Sequence, residues 1–248
     1  MLTIEKTVLP SPEQWEIIIE GMRNPMNSWD KMDSGSDRIM DEITDECIGF
    51  EFHLGDADHQ LMTSLAKGGA VHAKYRRMIP VFLTINAPLY WWKEFDTYKV
   101  GTVANSCSTM HKIHSKEFTL DDFSHEHLFN GIDRVEGESD MEYWENPETC
   151  LDYTIRVLNH YRQKFLETKT KPMKEASKRS GLMKSYWWQM IQLLPTSYNQ
   201  KRTVMLNYEV LVNIYHSRKN HKLDEWHIFC DWIRDLPYSE LITGGDFT

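Results

Sequence analysis

The sequence predicts a single α+β domain, and three observations lead to that prediction. Several segments carry apolar residues at helical spacing. One segment, RMIPVFLTIN, is rich in β-branched and apolar residues, as strands are. Neither an internal repeat nor a flexible linker divides the 248 residues, and that length suits one large domain.

Composition narrows the class of protein. Hydrophobic residues make up 41% of the chain and charged residues 26%, which is typical of a compact globular protein. The formal net charge of -9 argues against binding to a nucleic-acid polymer. No apolar run reaches transmembrane length and the N-terminus lacks a signal-peptide core, so we expect no membrane partner and a cytoplasmic location.

The cysteines and histidines do not form a recognisable metal or disulfide pattern. The cysteines are scattered and include no C-x-x-C pair: Cys47, Cys107, Cys150 and Cys230. Neither a disulfide framework nor a zinc ribbon is therefore expected. The histidines between residues 111 and 127 match no zinc-binding spacing, and no metal site is predicted.

Prolines and glycines mark the elements of the first hundred residues. Pro12 suits the first turn of a helix, Gly68-Gly69 ends a second helix, and Ala87-Pro88 opens a third. Pro80 would place the predicted strand at a sheet edge or a bulge. The predicted elements are a helix over 12–22, a loop over 24–37, a helix over 58–67, a strand over 77–86 and a helix over 87–98.

The remaining elements are predicted to be helices and one acidic loop. Apolar residues at i, i+4, i+7 spacing mark a helix over 150–168, and an apolar segment over 182–194 stops at Pro195. Two more helices are predicted over 202–219 and 223–236. The acid-rich stretch over 133–148, most acidic from residue 136 on, is predicted to be an exposed loop.

Polar residues interrupt the apolar face of the helix predicted over 202–219. One stripe of that helix holds Asn207, Leu211, Ile214 and Arg218, and the adjacent stripe holds Leu206, Val210 and Asn213. One interpretation is structural, with the asparagines capping backbone groups and Arg218 pairing with a surface carboxylate. The other is a helix that lines a polar ligand, since arginine donates a planar fork to carbonyl or phosphate oxygens.

These residues resemble the late motif of the flavin-dependent thymidylate synthase (ThyX) family. That motif runs from Leu-Pro, through a helix with two asparagines, to an arginine, a histidine and a tryptophan. The matching series here is Leu194-Pro195, Asn207, Asn213, Arg218, His221 and Trp226. The family also places a histidine ahead of a strand that ends in Ala-Pro, and here His72 precedes the predicted strand and Ala87-Pro88 follows it.

The family's defining signature is altered in this chain. The family has Arg-His-Arg, seven residues, then serine; counted from Ala87-Pro88, those positions hold Thr97-Tyr98-Lys99 and then Cys107. The arginine expected two places after the serine is Thr109, and the glutamate expected two places before it is Asn105. Lys99 keeps one positive charge, and a loop rich in Gly, Ser and Thr can present N–H groups to an anion. The segment is therefore predicted to be a phosphate-binding loop with different contacts.

The resemblance covers residues 58–109 and 150–233, and it implies an architecture. We expect a ThyX-like domain over 58–248 whose central mixed or antiparallel sheet is flanked by helices, with long C-terminal helices. Residues 1–57 would be an N-terminal extension with a helix and a loop, and residues 116–147 would be an inserted segment. The resemblance also implies a homotetramer.

The resemblance further implies an activity. The family converts dUMP to dTMP, with methylenetetrahydrofolate supplying the carbon and FAD, reduced by NADPH, supplying the hydride. Arg218 is the catalytic candidate, because it would stabilise negative charge on the pyrimidine carbonyl. The candidate FAD-binding residues are His72, Thr97, Tyr98, Lys99, Asn207, Asn213 and His221. The candidate substrate-binding residues are Glu94, Asn105, Ser106, Cys107, Ser108 and Thr109.

Other interpretations stay open at the level of the sequence. The alternative function is a non-catalytic protein of the same fold that binds a nucleotide or a protein partner, which the altered signature favours. His72 has an alternative role as an exposed loop histidine, and Cys107 has one as a nucleophile. A third alternative is that the segment 105–109 is a degenerate loop that binds no ligand.

Overall fold

The computed structural model describes residues 1–129, 146–172 and 176–245. Those ranges contain both helices and strands, which confirms the predicted α+β class. The strands are β1 (Thr3–Val8), β2 (Gly35–Met40), β3 (Cys47–His53), β4 (Pro80–Pro88), β5 (Val103–Ser106) and β6 (Asn199–Asn207). The helices are α1 (Pro12–Arg23), α2 (Asp56–Lys67), α3 (Leu89–Phe95), α4 (Pro147–Thr170), α5 (Ala176–Leu193), α6 (Tyr208–Arg218), α7 (Asp224–Arg234) and α8 (Glu240–Thr243).

The strands form two antiparallel sheets. The larger sheet has the order β1-β4-β6-β5, and the smaller one is the β2–β3 hairpin, in which Gly35 pairs with His53 and Met40 with Cys47. The predicted edge position of the strand that contains Pro80 is wrong, because β4 is an inner strand. Pro80 is the first residue of β4, where the missing N–H is tolerated.

The chain folds into two compact units. The first unit comprises Met1, Asn86–Phe95 and Ser106–Arg202, and the second comprises Leu2–Ile85, Asp96–Asn105 and Thr203–Thr248. In the first unit, α4 and α5 pack together, and the core beside them is aromatic and aliphatic: Ile113, Phe118, Phe123, Leu151, Ile155, Leu158, Phe165 and Met190. In the second unit, buried apolar side chains come from α1, α6, α7 and α8, as the periodicity of those helices requires.

Five predicted helices are confirmed, and two predictions need correction. Helices α1, α2, α4, α5 and α7 lie where helical spacing predicts them. The helix predicted over 202–219 is wrong in its first third, because residues up to Asn207 belong to β6. There Val204 and Leu206 are buried between exposed or half-buried neighbours, which is the two-residue period of a strand. The helix predicted over 87–98 is shorter, because Ala87-Pro88 ends β4 and α3 ends at Phe95.

The loop predicted over 24–37 and the acidic loop have different outcomes. Two short 3₁₀ turns occupy much of residues 24–31, and β2 begins at Gly35, so that loop is shorter than predicted. The acidic stretch over 133–148 lies almost entirely outside the described residues. Within the described ranges, no helix is long and apolar enough to cross a membrane.

Candidate functional site

Asn207 caps helix α6. It ends β6 with an extended backbone, and its side-chain oxygen accepts a hydrogen bond from the Val210 N–H at 3.1 Å. That N–H would otherwise have no acceptor, because the first turn of a helix lacks intrahelical partners. Of the two interpretations open for Asn207, the geometry matches capping.

The segment that carries the altered signature lies against the start of α6. Gly101 has φ +82, and a Cβ at this position would lie 3.0 Å from Val210 Cγ2 and 3.2 Å from Asn207 Nδ2. Both the left-handed backbone and the close approach require glycine. The chain therefore passes directly over the capped end of the helix in the second unit.

At the other end of α6, Arg218 lies in an aromatic cluster. Its Nε donates to the Tyr98 hydroxyl at 2.9 Å, and its guanidinium carbon lies 4.8 Å from the centre of the Trp226 ring. Trp226 is fully buried, and the Tyr98 ring meets it edge to face at 6.1 Å. A guanidinium over an indole face gains cation–π stabilisation. Tyr98 and Arg218, both predicted site residues, are therefore in direct contact.

His221 joins the same cluster with a defined tautomer. Its ring meets Trp226 at 6.3 Å, and its Nδ1 accepts a hydrogen bond from the Leu223 N–H at 3.2 Å. When the imidazole is neutral, the proton must then sit on Nε2. The cluster thus joins three predicted residues, Tyr98, Arg218 and His221, around one buried tryptophan.

A cavity of about 560 Å³ lies on the opposite side of α6. Asn213 lines it, and because Arg218 follows Asn213 by five positions, the two side chains point roughly 140° apart around the helix. The wall combines apolar side chains, including Val212, Leu241 and Ile242, with glycines that follow α2 and α8. Such a volume and such a mixture are typical of a small-molecule site.

An arginine–carboxylate ion pair and a histidine–carboxylate contact line this cavity. Arg76 Nη1 lies 3.8 Å from Glu209 Oε2, with side chains only 8% and 13% exposed. His59 Nε2 lies 2.7 Å from Glu240 Oε1, which joins α2 to α8. The Arg76 pair is too long for a hydrogen bond, so it is an ion pair without direct bonding.

The neighbouring Tyr75 does not serve as an anionic partner for Arg76. Burial raises the pKa of Tyr75 to about 12, with the Arg76 guanidinium opposing this in part. The phenol is therefore protonated at neutral pH, and it donates to the Met62 carbonyl at 2.8 Å.

The predicted phosphate-binding loop is partly used by the fold of the first unit. The Cys107 N–H donates to the Lys201 carbonyl at 2.9 Å, and the Cys107 carbonyl accepts from Gln200 Nε2 at 2.8 Å. Ser108 Oγ accepts from the His111 N–H at 2.9 Å. The backbone of Cys107 is thus engaged, while its thiol is exposed.

The other predicted residues lie at or near the surface. His72 is exposed and packs over Gly68, where a Cβ would lie 3.1 Å from His72 Cδ2. The exposed members of the predicted set are Thr97, Lys99, Asn105, Asn213, Ser106, Cys107 and Ser108, and the half-buried members include Glu94 and Thr109. Within the second unit, the structure brings Tyr98, Arg218 and His221 together and places Asn213 on the far side of the helix.

Sequence reasoning missed the ionisable residues of the cavity. Arg76 and Glu209 belong to no motif, and His59 and Glu240 lie 181 residues apart. One signal was available: Glu209, Asn213 and His216 follow i, i+4, i+7 spacing along an otherwise apolar helix. That stripe faces the cavity.

Comparisons with known proteins identify the fold. No family model and no curated protein sequence matches the chain. Among solved structures, it is similar to thymidylate synthase X (ThyX) from Helicobacter pylori with FAD and dUMP, at 13% identity and a TM-score of 0.55, over 99% of this chain and 97% of that one. A second ThyX structure from the same organism, also with FAD and dUMP, gives 13% identity and a TM-score of 0.54, over 99% and 98%.

A third similar structure is a nucleotide methylase. The UMP/dUMP methylase PolB from Streptomyces cacaoi, bound with 5-Br UMP, shares 12% identity at a TM-score of 0.53, over 98% of this chain and 94% of that one. The chain therefore has a thymidylate synthase-like fold. At this identity the likeness concerns the fold, and function has to be argued from the site.

Proposed function

We propose that this chain is an FAD-dependent enzyme that transfers a one-carbon unit from methylenetetrahydrofolate to a pyrimidine nucleoside monophosphate such as dUMP, with NADPH as reductant. The observation that carries the proposal is the placement of Asn213 on the wall of a cavity of about 560 Å³. The fold that holds this cavity is shared with proteins crystallised with FAD and dUMP and with a methylase bound to 5-Br UMP.

The cavity residues fit a flat heterocycle such as that of a flavin. Val212, Leu241 and Ile242 offer an apolar wall, and Arg76 and Glu209 offer a cation and a carboxylate beside it. Flavin supplies hydride chemistry when bound, whereas the protein groups bind and orient. Asn213 can donate to and accept from a ring edge through its amide.

Arg218 is proposed to stabilise negative charge that develops on the pyrimidine carbonyl. Tyr98 holds its Nε and Trp226 supports the plane of the guanidinium, so the side chain is fixed in orientation. In this role, the terminal nitrogens of the Arg218 guanidinium would donate to the pyrimidine carbonyl. A preoriented donor loses little conformational entropy on binding, and this supports a catalytic role over a purely electrostatic surface role.

A second candidate function is a nucleotide-binding protein without catalysis. Asn207 is occupied as a helix cap, and the Cys107 N–H is bonded to Lys201. Two groups that the sequence assigns to ligands are therefore used by the fold. A protein that binds a nucleotide through the remaining groups, without methyl transfer, is consistent with these contacts.

One assay separates the two functions. Purified protein is incubated with FAD, NADPH, methylenetetrahydrofolate and dUMP, and product is measured by mass spectrometry. The proposal predicts dTMP that depends on each added component, together with the visible absorption of bound oxidised flavin. Tight binding of FAD and dUMP without dTMP in the same assay would establish the non-catalytic function instead.

We also propose a homotetramer, on the basis of the shared fold. Light scattering of the purified protein tests this directly. A mass four times that of one chain is expected, and a mass of one chain at micromolar concentration contradicts it.

A further inference from the structure

Unpartnered polar atoms gather at the cavity beside α6. Among the described residues, the buried side-chain atoms without a hydrogen-bond partner include Thr63 Oγ1, Arg76 Nε and Glu209 Oε2. All three residues line this one cavity. Buried polar groups are nearly always bonded, because leaving one unbonded costs its full desolvation free energy. Three such atoms at one cavity indicate that a ligand completes their hydrogen bonding.

The geometry of the Arg76–Glu209 pair leaves both partners in need of further bonds. The 3.8 Å separation between Nη1 and Oε2 exceeds hydrogen-bond length, although both side chains are almost fully buried. A ligand that donates to the carboxylate and accepts from the guanidinium at the same time would satisfy both groups.

The charge of the cavity indicates a ligand group without net charge. Lys67 and Arg76 supply positive charge, and Glu209 and Glu240 balance it, with Glu240 bonded to His59. A dianionic group would meet carboxylates as well as cations here. The apolar wall formed by Val212, Leu241 and Ile242 favours a flat ring.

We propose that Arg76 and Glu209 together recognise a cyclic amide edge, in which an N–H stands beside a carbonyl. Glu209 accepts the N–H, and Arg76 donates to the carbonyl oxygen. This inference rests on the proposed function for its ligands, because the uracil ring of a nucleotide and the pyrimidine ring of oxidised flavin both present this edge. The two sources share one chemistry, and methylation at N3 removes the donor from either.

The test compares each ligand with its N3-methyl derivative by calorimetry on the full-length protein. The two pairs of probes are dUMP with N3-methyl-dUMP and FAD with N3-methyl-FAD. We expect the derivative in one pair to bind about 10- to 100-fold more weakly, since a hydrogen bond to a charged group is lost and a buried carboxylate is left unbonded. The pair that shows the difference identifies the source of the edge.

A variant then links the difference to Glu209. Glu209→Met removes the acceptor, so the ratio of the two dissociation constants should fall to about 1, whereas Glu20→Met, on the exposed face of α1, should keep the wild-type ratio. A ratio that persists in Glu209→Met would overturn the inference. The wild-type comparison needs no variant, and a wild-type ratio of about 1 for both pairs of probes overturns the inference even where Glu209→Met does not fold.

The remaining outcomes separate this inference from the proposed function. If dUMP and FAD bind but neither N3-methyl derivative is discriminated against, the inference fails and the proposed function stands. If neither dUMP nor FAD binds, the proposed function fails and the inference fails with it.

Discussion

Two buried arginine–carboxylate pairs in the second unit differ in how completely their polar atoms are bonded. In one pair, Arg23 Nε donates to Asp58 Oδ1, and Asp58 Oδ2 accepts from the N–H of Asp33 at 3.0 Å and from the N–H and hydroxyl of Ser34 at 2.9 and 2.7 Å. In the other, Arg76 and Glu209 stand 3.8 Å apart, and Nε and Oε2 have no hydrogen-bond partner.

The difference separates a structural contact from a candidate ligand contact. A buried charge whose bonds are all made within the chain holds loops and helices in place, as Asp58 does at the start of α2. A buried charge with unmade bonds beside a cavity lowers the stability of the free protein and can regain those bonds from a ligand. Stability and binding should therefore respond oppositely to changes at the two pairs.

The largest expected loss of stability comes from a substitution in the fully bonded Arg23–Asp58 pair. Asp58→Asn should lower the free energy of unfolding by about 3–5 kcal/mol, because it leaves the Arg23 guanidinium buried without a compensating charge. The matched change Glu209→Gln also removes a countercharge, that of Arg76, but it breaks no hydrogen bond between the two side chains, so it should lower the free energy of unfolding by clearly less. Urea denaturation of both variants measures the difference. Equal losses would contradict the distinction between the two pairs.

Arg218 shares a property with each of the two pairs. It is hydrogen-bonded within the chain, and it is also proposed to contact the substrate. Arg218→Ala should weaken nucleotide or flavin affinity by about 1.5–3 kcal/mol, the value of a hydrogen bond to a charged group. Its effect on folding should be smaller. Calorimetric titration with FAD and dUMP measures the affinity.

The matched control for Arg218 is Arg234 on α7. Its Nε donates to the Tyr215 hydroxyl at 3.2 Å, and its guanidinium carbon lies 5.6 Å from the centre of that ring, so it copies the Arg218–Tyr98 contact. Arg234→Ala should change stability by a similar amount and leave affinity at the wild-type value. Unchanged affinity in Arg218→Ala as well would remove Arg218 from the site.

Gly101 tests whether the altered signature segment depends on α6. Gly101→Ala should cost about 2 kcal/mol of stability, through a positive φ and contact with Val210 and Asn207. Gly69 has φ +86 with nothing within 4 Å of the added Cβ, so Gly69→Ala should cost only the backbone contribution of about 1 kcal/mol. Thermal unfolding compares the two. An equal loss would mean that the packing at Gly101 contributes nothing.

Substitutions of Asn207 should have the smallest effect on stability. They also distinguish a capping role of this side chain from a cofactor-binding role. Asn207→Ala should lower stability by about 1 kcal/mol, whereas Asn207→Ser should retain most of it, because serine is also a good N-cap. Stability is measured by denaturation, and FAD affinity is measured on the same samples. If Asn207→Ser keeps full stability but loses FAD affinity, the asparagine has a ligand role beyond the cap.

The sequence predicts those parts of the fold where periodicity is long. Helix α4 buries a regular apolar stripe, and the predicted range of 150–168 lies within three residues of both its ends. Helix α5, in which Met190 is the buried residue, ends within one residue of the prediction but begins at Ala176, six residues before the predicted start. The strands β1, β2 and β5 were not predicted, because their side chains are exposed or half-buried and show no alternation of apolar and polar residues. Strand β3 does alternate, with Ile48, Phe50 and Phe52 separated by Gly49 and Glu51, and the prediction missed this signal. The proposed boundary between residues 57 and 58 stays a prediction.

The residues of the candidate site, too, were only partly predictable from the sequence. A motif with fixed spacing singled out Asn207, Asn213 and Arg218, but it could not tell a helix cap from a ligand contact. That distinction depends on where β6 ends, and the short apolar run before Asn207 fits a strand and a helix equally well. Arg76 and Glu209 are brought together only by the tertiary fold, 133 residues apart in the sequence by their numbers, and no local pattern reports such a pair.

A crystal structure of the protein with FAD and dUMP tests most directly whether Arg76 and Glu209 contact a ligand. We expect a ligand ring in the cavity, with an N–H of the ring within hydrogen-bond distance of Glu209 Oε2 and a carbonyl oxygen within that distance of the Arg76 guanidinium. Both ligands bound elsewhere, with Arg76 and Glu209 still separated by the same gap, would contradict it.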